Sequence, residues 1–92
     1  MFIVKKHEAM HREDDSPHTI ELQGDVAFTD TVYSHGYITM QSGTEEASLY
    51  YELIHGQCHY ELSYEGTLGA VADFGSSIDL DMDGLSITAT VE

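Results

Sequence analysis

Positive charge is almost missing from this chain. Of its 92 residues only Lys5, Lys6 and Arg12 are basic, against 17 Asp and Glu, so the formal net charge is -14. Residues 13 to 92 hold 16 carboxylates and no Lys or Arg. Ion pairs inside that stretch are excluded except to histidine, and the folded chain must tolerate its own repulsion. Such a field repels nucleic acid, membrane surfaces and other polyanions, and attracts basic protein surfaces. Solubility, or the general surface acidity of a halophile, accounts for the same charge without any partner.

Other scarcities narrow the class further. A single cysteine, Cys58, cannot close an internal disulfide. Asparagine is absent, so no N-glycosylation sequon exists. No apolar run approaches the ~20 residues of a membrane span, and the start MFIVKK lacks the apolar region of a secretory signal. The expected setting is cytoplasmic. A chain of this length forms one domain, residues 1–92, burying roughly 60–65% of its unfolded surface. The one proline, Pro17, divides a short N-terminal segment, 1–16, from the remainder, 18–92, because proline disfavours helix in the residue before it.

What is present is alternation. In SSIDLDMDGLSITATVE, Asp83-Gly84 reads as a two-residue hairpin turn. It pairs Met82 with Leu85, Leu80 with Ile87 and Ile78 with Ala89 on one face, and Asp81 with Ser86 and Asp79 with Thr88 on the other. Apolar-in, polar-out order fixes that register. In SLYYELIHGQCHYELSYE, a turn at Gly56-Gln57 sets Leu53 against Tyr60, Tyr51 against Leu62 and Leu49 against Tyr64. Glu45 to Ile54 also contain good helix formers, but the matching alternation after Gly56 favours strands. A third hairpin turns at His35-Gly36, pairing Tyr33 with Ile38 and Thr31 with Met40. Leu68 to Phe74 read as a further strand. The expected fold is mainly β, a small antiparallel sandwich or barrel of hairpins, with or without one short N-terminal helix over Lys5 to Glu13.

Four groups of residues carry candidate chemistry. HEAMH, residues 7 to 11, resembles the zinc-binding helix of the zincin metalloproteases; the likeness implies His7 and His11 as ligands and Glu8 as general base. In the longest His-rich form of that motif the third histidine would fall at Pro17, and His18 lies one residue too far; the motif's glycine position is Asp14. Asp79, Asp81, Asp83 and Gly84 resemble the opening of a calcium-binding EF-hand loop. The twelfth position, however, is Thr90 rather than Glu, and a solvated acidic hairpin face accounts for the aspartates. His55 and Cys58 are expected to face each other on the core side beside the turn, with His59 pointing away, which is two ligands short of a tetrahedral site. Finally, the exposed side of the central hairpin carries Tyr50, Glu52, Ile54, His59, Glu61, Ser63 and Glu65, with Glu52 expected directly across from Glu61. Like charges so placed repel, and a cationic partner would relieve them.

These features point to a protein without catalytic activity or cofactor, binding a basic, nucleic-acid-binding protein surface in competition with nucleic acid. The expected contact residues are Tyr50, Glu52, Ile54, Glu61, Glu65, Asp79 and Asp81. In size and acidity the chain resembles the phage-encoded DNA-mimic inhibitors of host defence, such as anti-CRISPR proteins, and the acidic immunity proteins of nuclease toxins. The resemblance is one of profile, carried by no motif, and implies the host cytoplasm as the setting. The alternatives are a structural or oligomerising β module, whose acidity serves solubility, and a zinc hydrolase using His7, His11 and His18. Oligomeric state stays open, a dimer included.

Overall fold

A computed structural model describes residues 1–10, 16–55, 57–75, 77–82 and 84–92, with backbone alone for 73–75. Among the described residues nine strands follow one another: β1 (Ile3–Met10), β2 (His18–Gly24), β3 (Phe28–Val32), β4 (His35–Ser42), β5 (Glu45–Ile54), β6 (Gln57–Tyr64), β7 (Thr67–Gly75), β8 (Ser77–Met82) and β9 (Leu85–Val91). They form two antiparallel sheets, ordered β1-β4-β5-β6-β7 and β3-β2-β9-β8. The sheets pack face to face as a sandwich, without closing into a barrel. No described residue is helical, and accordingly none of the described elements is a helix able to cross a membrane.

The core follows from strand alternation. Ile38, Met40, Leu49, Tyr51, Tyr60 and Leu62 from the larger sheet meet Ile20, Leu22, Val32, Leu80, Leu85, Ile87 and Ala89 from the smaller one, all buried. The β8–β9 hairpin has the register expected from its sequence, Met82 against Leu85, Leu80 against Ile87 and Ile78 against Ala89. Gly84 supplies the positive φ of its turn, at 81°.

Three local expectations are corrected. The segment from Lys5 to Met10 is strand rather than helix. β1 pairs with β4, Lys5 forming a bulge between Val4 and Lys6, because Val4 and His7 both have a core position to fill opposite Met40 and Ile38. His35 and Gly36 are not a turn: they lie inside β4, while Thr31 pairs with Thr19 in the other sheet. The glycine answers a different need, since a Cβ there would collide with the Tyr51 hydroxyl and the Glu8 carbonyl. The chain instead changes sheets at Ser34. Its N–H and hydroxyl both donate to the Met10 carbonyl, at 3.2 and 2.9 Å, and its carbonyl accepts from the Leu53 N–H at 2.7 Å.

The central hairpin keeps its expected faces but slips its turn by one residue. Ile54 pairs with Gln57, so Tyr51 faces Tyr60, Leu49 faces Leu62 and Leu53 faces Cys58. His55 takes a positive φ of 52° in the turn, a strain that most side chains avoid but that His tolerates better than β-branched residues.

Candidate docking surface

The outer face of the larger sheet is built by cross-strand neighbours. One row runs Glu8, Tyr37, Tyr50, Glu61, Val71 from β1 to β7, each directly opposite the next. The adjoining row runs Met10, His35, Glu52, His59. Two tyrosines therefore lie side by side at the middle of a carboxylate border. Their ring centroids are 5.0 Å apart at an interplanar angle of 46°, and the His59 ring meets Tyr50 edge-on at 6.4 Å. Tyr37 is 46% exposed. Desolvation, with Glu52 next in effect through its charge and a hydrogen bond, holds the Tyr50 phenol above its ordinary pKa. It stays a neutral donor.

The slipped turn changes the electrostatics of this face. Glu52 sits across from His59, and Tyr50 across from Glu61; the expected Glu52–Glu61 opposition does not form. His59 Nε2 lies 2.7 Å from Glu61 Oε2, so a histidine rather than a distant lysine relieves the carboxylates. Lys6 pairs with Glu8 at 3.4 Å, with both side chains more than half exposed, so the bond is weak and exchangeable.

Tyr50, Glu52, Ile54 and Glu61 share this face, and Glu65 stands at the turn after β6 with a positive φ of 51°. Asp79 and Asp81 do not join them. Both lie exposed on β8 in the other sheet, on its outward side opposite Thr88 and Ser86, and Asp79 Oδ1 accepts a 2.7 Å hydrogen bond from the Thr88 hydroxyl. Carboxylates thus occupy both outer faces, and aromatic content, not charge, distinguishes them. Tyr37 escaped the sequence reading because its strand was broken at His35-Gly36. The alternation of Gly36, Ile38 and Met40 inward with Tyr37 and Thr39 outward was the signal that could have found it. The smaller sheet's outer side is hydroxyl-rich, with a shallow depression of about 120 Å³ lined by Thr19, Glu21, Thr29, Thr90 and Glu92.

The remaining candidate chemistry falls differently from expectation. His7 lies on a strand, while His11 and Asp83 are outside the described residues. His7 Nδ1 is 2.8 Å from Asp30 Oδ2 and its Nε2 is 2.8 Å from the Tyr51 hydroxyl, and Phe28 packs edge-on against the ring at 5.6 Å. His18 begins β2 in the opposite sheet, across from Val32. Among the described residues, no three His, Cys, Asp or Glu side chains converge to hold a metal. His55 is exposed in its turn rather than facing Cys58. Cys58 is buried, and desolvation raises its thiol pKa, which leaves it protonated and unreactive.

Comparison with protein-family models, with curated proteins and with solved structures finds no match in any of the three.

Proposed function

We propose that this protein is a non-enzymatic binder of a basic, nucleic-acid-binding protein surface, competing with nucleic acid for it, and that the outer face of the five-stranded sheet is its docking face. The observation that carries this is the Glu8–Tyr37–Tyr50–Glu61 row, with Glu52 beside it. An exposed Tyr37 and a half-buried Tyr50 inside a charged border are the composition of a recognition surface. The net charge of -14 supplies long-range steering toward cations. Carboxylates on the opposite face add to that field without touching the partner.

The test is capture of proteins from nuclease-treated cell lysate by the immobilised chain at low and at high salt. Basic nucleic-acid-binding proteins should be retained at low salt, released at high salt, and displaced by added duplex DNA. Replacing Tyr50 with Ala and Glu52 and Glu61 with Gln should abolish retention. Capture indifferent to DNA and to these substitutions would refute the reading.

A second reading, an assembly module, rests on β7. Residues 67–72 are uncharged and form an edge of the larger sheet, with Leu68 and Val71 more than half exposed. Edge strands of this kind invite pairing with another chain. Sedimentation of the purified protein over a range of concentrations separates the two, since the inhibitor needs no self-association.

A further inference from the structure

We propose that the docking face selects arginine over lysine, the Tyr37–Tyr50 pair receiving guanidinium groups while Glu8, Glu52 and Glu61 bind their N–H edges. The inference rests on the docking function proposed above and names the chemistry of the partner's contact residues: an arginine-rich segment.

A carboxylate cluster attracts ammonium and guanidinium alike through charge, so the rings must supply most of the discrimination. Guanidinium is planar and weakly hydrated, stacks on aromatic faces, and presents a rigid fork that matches a carboxylate with two parallel hydrogen bonds. Ammonium is a compact, strongly hydrated point charge that gains less from leaving water. The row offers what the fork and the plane both need. Strands lie about 4.8 Å apart, so Glu8 and Glu61 stand roughly 14 Å from each other, with the two phenol rings filling the interval. A guanidinium stacked on Tyr37 has Glu8 on the neighbouring strand. One stacked on Tyr50 has Glu61 on the neighbouring strand and Glu52 two residues along its own.

The rings are also held open. Tyr37 and Tyr50 meet at 46° rather than in parallel stacking, and Tyr37 is 46% exposed. Contacts with the Tyr37 and His59 rings restrain the Tyr50 ring before any partner arrives, reducing the ordering cost of binding. The Lys6–Glu8 pair lies on this face, and an arriving guanidinium can displace it because it is a solvent-exposed pair.

The experiment titrates the full chain with fluorescently labelled oligoarginine and oligolysine of equal length, at low and physiological salt. Ring stacking and the two-bond fork both favour the guanidinium, and oligoarginine is expected to bind about tenfold tighter than oligolysine. Tyr37→Leu with Tyr50→Leu should cut the ratio of the two affinities severalfold while changing oligolysine affinity less than about twofold. Tyr37→Phe with Tyr50→Phe, which keeps the ring faces, should preserve the preference. Circular dichroism confirms that these outward-facing variants remain folded. Equal affinity of the wild type for both peptides, or an arginine preference undiminished in the leucine pair, overturns the inference while leaving a basic partner in place. Failure of both peptides to bind at low salt overturns the docking function as well.

Discussion

His7 stands between Asp30 and Tyr51, 2.8 Å from each, and so links β3 of one sheet to β1 and β5 of the other. Asp30 lies opposite Ile20, on the core-directed side of an edge strand, and His7 lies opposite Ile38 on an edge of the larger sheet. An inward-pointing charge at an edge discourages strand addition there, and here it also finds a partner. The imidazole is nearly buried, the Tyr51 side chain fully so; the carboxylate remains half exposed.

Tyr51→Phe removes the hydroxyl and strands His7 Nε2. The expected cost is about 1–2 kcal/mol of folding stability, read from urea denaturation. An unchanged midpoint would show that the ring alone does the work of that side chain.

Asp30 gives the link a pH dependence of definite sign. The His7 hydrogen bond, ahead of that from the Thr31 N–H, holds its carboxyl below the ordinary value, so the folded state takes up this proton less readily than the unfolded chain. The stability it contributes is whole above about pH 4 and disappears as pH falls through the lower folded value. Thermal melts of the wild type and Asp30→Asn should therefore differ at neutral pH and converge in acid below about pH 4. A gap that stays constant to pH 2 would remove the carboxylate from the account.

Gly36→Ala tests the close approach of Tyr51 to the backbone of β1 and β4. The added methyl meets the tyrosine hydroxyl and the Glu8 carbonyl, and since one of these is backbone, the strands must separate or the ring must leave. We expect about 3 kcal/mol of destabilisation by chemical denaturation.

Tyr60→Phe should behave in the opposite way. The Tyr60 hydroxyl is buried and unsatisfied among the described residues; the Cys58 thiol beside it is only a weak hydrogen-bonding group. Removing an unsatisfied group is expected to leave stability unchanged or raise it by up to about 1 kcal/mol. A loss above that in the denaturation midpoint would reveal a partner for the hydroxyl.

Cys58 should resist thiol reagents in the folded protein and react fully in denaturant, because burial raises its pKa and the reagent needs thiolate. Labelling followed by mass spectrometry checks this, and fast native labelling would place the thiol at the surface.

The sequence was most legible where the turn and the hydrophobic pattern agreed. At Asp83-Gly84 both signals gave one register, and the pairing of β8 with β9 follows them throughout. At His55 they parted: alternation fixed which side chains face inward, but glycine drew the turn one residue late, so the faces survived and the Glu52–Glu61 pairing did not. Gly36 misled for a related reason, since a glycine demanded by a close tertiary contact looks the same in sequence as one demanded by a turn. The segment KKHEAM carries no apolar run of its own, and it became a strand through its partner β4. Tyr37, and with it the aromatic pair, stayed hidden until that strand was whole.

Pairing of Ile20 with Val91 joins positions from opposite ends of the sequence, whereas β4 to β7 are linked one to the next by short reversals. The meander can assemble from local contacts soon after it is synthesised, but β2 and β3 must wait with an open flank until β9 arrives. Closing so long a loop costs more chain entropy than local pairing does, so the pairing of β2 with β9 is expected to form after the meander.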